Sequence, residues 1–258
     1  MMSSGKTGTR FLIEDMASDN ITFTGDNRRR YSRNLLLPEI GESGQRALLN
    51  SSVLVVGTGA LGSIVSMYLA GSGIGRIGIC DFDTIDISNL QRQLGFSTDD
   101  IGQCKVDVTA RRLASINPDI VVEKHEGLLR PDKARELFQH YDVIVEGSDN
   151  PTTKYMVTDI AAEKRKPCVL GGVSRFDGQV MTFLPGGKNY RDIFPDAAAE
   201  GGYTPCSLGG VLGPLPGIVG SIQAAEVIKI ITGAGTTLDG RMLLVDSLNM
   251  SFTEIKLR

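Results

Sequence analysis

The chain contains no tryptophan, two histidines and four cysteines among 258 residues. The cysteines stand at 80, 104, 168 and 206, and no two of them form a C-x-x-C pair. The spacing therefore offers neither a disulfide framework nor the paired thiolates of a zinc site. In a cytoplasmic protein such residues read as free thiols. There is no basic excess either. The 27 Lys+Arg against 30 Asp+Glu leave a formal charge of -3, so no field invites nucleic acid. No apolar run reaches the roughly 20 residues that span a bilayer. The polar N-terminus lacks the apolar stretch of a secretory signal. Low-complexity tracts and internal repeats are missing as well. The expectation is a cytoplasmic protein that binds neither membrane nor nucleic acid and is long enough to bury a core.

What is present is an orderly alternation of strands and helices. Residues 1–29 are polar and read as an N-terminal extension, in part disordered. Gly5-Lys6-Thr7 lacks the upstream glycine and preceding strand of a phosphate loop. From Arg30, the run RYSRNLLLPEIGESGQRALLN carries one or two helices, the second over Ser43–Leu49. Strands are expected at Val53–Val56, Arg76–Cys80, Ile120–Lys124, Val143–Glu146 and Cys168–Val173. Helices fall between them at about Leu61–Ala70, Cys104–Asn117, Pro131–His140 and Thr152–Lys164.

That order argues an α/β, Rossmann-like fold, a doubly wound and mostly parallel sheet with helices on both faces. A hairpin to Gln179–Phe183 adds an antiparallel part. From about Pro185 to Leu212 the chain is rich in Gly, Pro and Ala without a period, and a loop of that length is usually functional or mobile. A helix at about Leu215–Thr232 closed by Gly233 and strands at Arg241–Val245 and Phe252–Leu257 complete the chain. Residues 30–258 read as one domain, with a nucleotide-binding half at about 50–150 and a second half at about 165–258.

The functional signal lies just after the first strand. Gly57, Gly59 and Gly62 form G-x-G-x-x-G between a strand and a helix, where backbone can approach a phosphate at a helix N-terminus. Asp81 ends the next strand, the position of an acid that bonds ribose hydroxyls. A dinucleotide enzyme would share all of this. It has little use for the polar residues farther along the chain: Asn89 and Arg92 in SNLQRQ, Lys105 opening a long helix, and Asp149-Asn150 after the fourth strand. Two cations, an amide and a carboxylate converging on one phosphate chain suit a nucleoside triphosphate with a metal ion.

The segments RYSRNLLLPEIGESGQRALLNSSVLVVGTGALGS, DFDTIDISNLQRQ, GQCKVD, INPDI, EGSDN and GVLGPLPGIVGSIQAAEVIKIITG resemble the ThiF/MoeB/HesA family, bacterial relatives of the ubiquitin-activating enzymes. The resemblance runs from about Arg30 to the C-terminus. It implies an ATP-dependent adenylyltransferase. Such an enzyme converts the C-terminal glycine of a ubiquitin-like sulfur carrier (ThiS or MoaD type) to an acyl-adenylate, for thiamin or molybdopterin synthesis or a related sulfur transfer.

Carried over residue by residue, Asp81 holds the ATP ribose, and Asn89, Arg92 and Lys105 contact the phosphates. Asp149 binds Mg2+. Arg33 reaches in trans into the partner's site, which requires a homodimer, with Arg30 as its fallback. A sulfurtransferase or cysteine desulfurase would supply the sulfur. Adenylation of an already ionised carboxylate needs charge neutralisation rather than a general base, so structural or solvated roles are expected for His125, placed just past the third strand, and for His140.

The resemblance is incomplete. Family members often bind zinc through two C-x-x-C pairs. Here the first would fall at Asn189–Asp192, and the chain ends before the second, so zinc is expected to be absent. Cys206 lies where some relatives carry a cysteine that bonds the activated carrier covalently, while Cys80, Cys104 and Cys168 read as thiols without a role. The late strands, with Leu243, Met250 and Phe252, are the candidate carrier surface. The alternatives are adenylation of a small-molecule or peptide carboxylate, an NAD-dependent oxidoreductase, and a non-catalytic nucleotide-binding module.

Overall fold

A computed structural model describes residues 23–195 and 210–257. One eight-stranded sheet runs through the molecule in the order β3-β2-β1-β4-β5-β6-β7-β8. Strands β1 (Ser52–Val56), β2 (Arg76–Asp81), β3 (Val121–Glu126), β4 (Val143–Glu146) and β5 (Cys168–Ser174) are parallel. Strands β6 (Asp177–Phe183), β7 (Arg241–Asp246) and β8 (Ser251–Lys256) continue the sheet antiparallel.

The period of two divides the apolar residues between the faces. From β1, Val53 and Val55 join one core with Leu61, Val65 and Leu69 of α4 (Ala60–Ser72) and with α9 (Pro214–Thr232). Leu54 and Val56 join the other, against α6 (Pro131–Phe138) and α7 (Pro151–Glu163). Helices α3 (Gly41–Asn50) and α5 (Lys105–Ile116) also lie on the first face. By length and composition alone α9 could cross a membrane. Here it is the central core helix, and its buried Glu226 accepts from Thr182 Oγ1 at 2.6 Å and from Leu238 N at 2.6 Å.

Several boundaries differ from expectation. A helix α1 (Gly25–Arg30) starts inside the stretch read as an extension, capped by Thr24, whose side chain accepts from Asn27 N. A short α2 (Ser32–Leu35) follows. His125 lies within β3, not past it, because the ladder with β2 runs on to pair Asp81 with Glu126. The long Gly/Pro-rich loop contains a short helix α8 (Tyr190–Ile193). Asn189 and Asp192, at the would-be C-x-x-C positions, close its capping box. Rings and one ion pair dock it on α7. Tyr190 packs on Tyr155 and Phe194, Tyr155 donates to Phe194 O at 2.6 Å, and Arg191 pairs with Asp159 at 2.7 Å.

The start of α4 is pressed onto the glycine turn. A Cβ on Gly62 would stand 1.7 Å from the Gly57 carbonyl oxygen, and Gly57 itself has φ +85. At both positions only glycine fits without moving backbone. Replacing Gly62 by Ala is expected to lower stability by roughly 1–3 kcal/mol in urea unfolding, and nucleotide affinity with it.

At the other edge, His125 Nε2 meets the Tyr141 hydroxyl at 2.8 Å, and that hydroxyl donates to Glu123 Oε2 at 2.6 Å. Tyr141 has a single proton to give, so Nε2 carries the hydrogen of the neutral ring. Burial holds the imidazole pKa below its ordinary value, against the pull of Glu123. The unfolded chain therefore takes up the proton first as pH falls below about 6.5, and stability present above that pH is lost. Glu123, itself lowered by the Tyr141 hydrogen bond, responds only in the carboxylate range. Urea midpoints between pH 7.5 and 5 are expected to fall for the natural chain and to stay flatter for His125→Gln.

Candidate functional site

Strand order reverses between β1 and β4, and the chain leaves their C-terminal ends toward opposite faces. A pocket opens at that point, as expected for an open α/β sheet. Its wall is made by Gly57 and Gly59 after β1, Asp81 at the end of β2, Gly127 to Leu129 after β3 and Gly147 to Asn150 after β4. Arg92, Gln93, Lys105 and Lys154 supply its amide and cationic side chains. Phe82 and Leu128, both exposed, provide apolar surface beside them.

Each polar group has a defined support. One oxygen of Asp81 accepts from Thr58 N at 2.7 Å and Thr58 Oγ1 at 3.1 Å, and the other accepts from Asp83 N at 2.9 Å. The acid expected to bond ribose thus also clamps the glycine turn, because Thr58 stands between Gly57 and Gly59. Buried Lys105 pairs with the half-exposed Asp83 at 2.9 Å, which keeps the ammonium compensated at the pocket wall. Arg92 donates to Ser88 O at 3.0 Å. Asn150 caps α7 by accepting from Thr153 N, and the Asp149 carboxylate has no protein partner among the described residues.

The pocket brings together Gly57, Gly59, Asp81, Arg92, Lys105 and Asp149 of the residues expected from sequence. Gly62 lies beneath the turn, as its packing requires. Asn89 is not on the lining; its side-chain oxygen accepts from Asp86 N at 3.2 Å and completes a capping box. Arg33 is exposed and lies outside the pocket of its own chain, whereas Arg30 is held by Asp119 at 3.6 Å and Ile116 O at 3.1 Å. Cys206 lies outside the described residues. Burial pushes the Cys80 thiol up to about 12, with Asp81 adding to the effect, and burial also raises Cys168. Both stay protonated and unreactive near neutral pH.

Sequence reading missed Asp83, Gln93 and Lys154. The first was legible, since DFD puts two carboxylates on one strand end. Gln93 directly follows Arg92 in the motif already singled out. Lys154 gave no signal, because a lysine one turn into a helix reads as solvated. In fact Lys154 pairs at 2.5 Å with Glu146, whose side chain is fully buried. Desolvation pushes that carboxyl above the usual range, against the opposing pull of Lys154.

The model of the ThiF family matches residues 31–258. A sulfur carrier protein adenylyltransferase of Thermus thermophilus is 40% identical over 242 residues, 92% of this chain and 89% of the relative. The SAMP-activating enzyme E1 of Haloferax volcanii is 40% identical over 229 residues, 89% of this chain and 85% of the relative. The probable adenylyltransferase/sulfurtransferase MoeZ of Mycobacterium tuberculosis is 44% identical over 234 residues; that match takes in 89% of this chain, which spans 60% of the relative's length. Among solved structures, E. coli MccB with ATP superposes with a TM-score of 0.75 at 27% identity, covering 96% of this chain and 76% of that one. A fold whose strand order opens this pocket, and a match that begins at Tyr31 and reaches the last residue, lead to one conclusion: the chain belongs to the ThiF family.

Proposed function

We propose that the protein is an ATP-dependent adenylyltransferase that activates the C-terminal glycine carboxylate of a ubiquitin-like sulfur carrier. The observation that carries this reading is the convergence of Arg92, Lys105 and Asp149 on one pocket above the glycine turn. A hydride-transfer site has no need of that set. The names of the Thermus and Haloferax relatives agree with it.

The chemistry is dictated by charge. A carboxylate oxygen of the carrier attacks the α-phosphorus, the bond to the β-phosphate oxygen breaks, and pyrophosphate leaves with the electron pair. No proton need be removed, so catalysis consists of bringing two anions together. Arg92 and Lys105 neutralise the phosphate chain, Asp81 orients the ribose, and the Gly57–Gly59 backbone allows close approach. A Mg2+ ion fits the remaining donor, because Asp149 offers a hard carboxylate with no ion pair among the described residues, and the ion usually takes one or two such groups along with phosphates. When bound, it supplies charge neutralisation for the leaving pyrophosphate.

The carrier is assigned to the C-terminal half. Strand β8 is exposed along its whole length, and Phe252 and Met250 are solvent-facing, which suits an apolar carrier face; Leu243 is only half exposed and contributes less. Cys206, a few residues before the pocket-lining Val211, keeps its proposed covalent role. Sulfur would come from a sulfurtransferase or cysteine desulfurase, in thiamin or molybdopterin synthesis or a related transfer. Arg33 would complete the site of a second copy in a homodimer. The exposed Leu36 and Leu37 beside it suit such a contact.

ATP–pyrophosphate exchange with Mg2+ is expected to depend on a Gly-Gly-ended carrier and to fall about 10²–10³-fold in Asp149→Ala. Exchange driven by a small carboxylate or a free peptide and indifferent to every carrier would replace this substrate by the alternative. Mixing Asp149→Ala with Arg33→Ala subunits is expected to restore roughly a quarter of wild-type exchange, since half the dimers then hold one complete site. No recovery on subunit exchange would remove the trans role of Arg33.

A further inference from the structure

We infer that Lys154 is a positioning residue, which fixes from below the loop that carries Asp149 and thereby sets that carboxylate's affinity for a divalent cation. The inference rests on the reading of Asp149 as the metal ligand.

The Lys154 side chain is 5% exposed, and its ammonium meets three separate pieces of chain. It donates to Glu146 Oε2 at the end of β4 (2.5 Å), to Ser148 O in the loop (2.7 Å) and to Gly171 O on β5 (2.7 Å). An ammonium has three protons, so its donors are all used. Glu146 completes the frame: its other oxygen accepts from Ser148 N at 2.9 Å and from the Ser148 hydroxyl. Its backbone carbonyl accepts from Gln223 of α9 at 2.9 Å. The residue before Asp149 is therefore held by its amide, its carbonyl and its hydroxyl. The residue after it is fixed as the cap of α7. Between them, the Asp149 carboxylate has no partner among the described residues.

Stability alone is a poor reason for this pair. Well-packed apolar residues of similar volume often stabilise as much as a buried ion pair, which must repay the desolvation of two charges. What apolar residues cannot do is hold two carbonyls and a carboxylate at fixed separations. Magnesium asks for near-ideal octahedral geometry, and groups that orient its ligands typically contribute 10- to 100-fold in affinity. Because Gly171 leads into the lining residues Gly172 and Val173 on β5, the same ammonium also sets the loop's distance from that strand.

The test measures Mn2+ binding by electron paramagnetic resonance in the presence of a non-hydrolysable ATP analogue, beside the KM for Mg2+ in exchange. The variants are Glu146→Gln/Lys154→Met, Lys154→Arg and Asp149→Ala. The double variant leaves no buried charge without a partner, and circular dichroism and urea unfolding report whether it folds. Its Mn2+ dissociation constant and its Mg2+ KM are expected to rise about ten-fold or more, a larger factor than any loss of ATP affinity measured without metal. Lys154→Arg is expected to regain most of the metal affinity. A folded double variant with wild-type Mn2+ affinity and Mg2+ KM would overturn the proposal, as would equal losses of metal-free ATP affinity and metal affinity. Wild-type Mn2+ affinity in Asp149→Ala would instead refute the underlying reading of Asp149.

Discussion

Two neighbouring parallel strands whose chains leave in opposite directions create the feature on which the molecule's chemistry depends. After β1 the chain turns to one face of the sheet and forms α4; after β4 it turns to the other and forms α7. Between those turns the pocket opens at the ends of the two strands. A cleft is then unavoidable, and backbone amides at the start of α4 face into it. The residues that line it arrive from strand ends, first helical turns and the short connections beside them.

That origin explains the economy of the site. Asp81 belongs to β2, yet its carboxylate closes the glycine turn through Thr58 before any ligand arrives. Lys105 opens α5 and is already paired with Asp83 of the same strand-end segment. Asp81, Lys105 and Arg92 are thus preorganised by bonds within the chain, and a nucleotide would meet them with little rearrangement.

The sheet and most of the rim were legible in the sequence because each follows a local rule. Apolar β-branched runs marked the parallel strands; the glycines, Asp81, Lys105 and Asp149 stood at or just beyond strand ends or at helix starts, and Arg92 lay in the SNLQRQ segment between β2 and α5. Reading and structure part where one local rule is outweighed by another. Asn89 stood in a suggestive motif, but Asp86 three residues earlier makes it the partner in a capping box. GDNRRR is polar enough to pass for a tail, although Thr24 and Asp26 are good helix-start residues. Lys154 was invisible for a different reason. Its importance comes from Glu146 and Gly171, neighbours set by the pairing of β4 with β5, and no periodicity along α7 reports that.

The attachment of Tyr190–Phe194 to α7 has a consequence of its own. It consists of edge-on and tilted ring contacts, one guanidinium–carboxylate pair and the hydrogen bond from Tyr155 to the Phe194 carbonyl. Its hold tracks ionic strength and temperature, so the root of the long loop can loosen by small, reversible degrees.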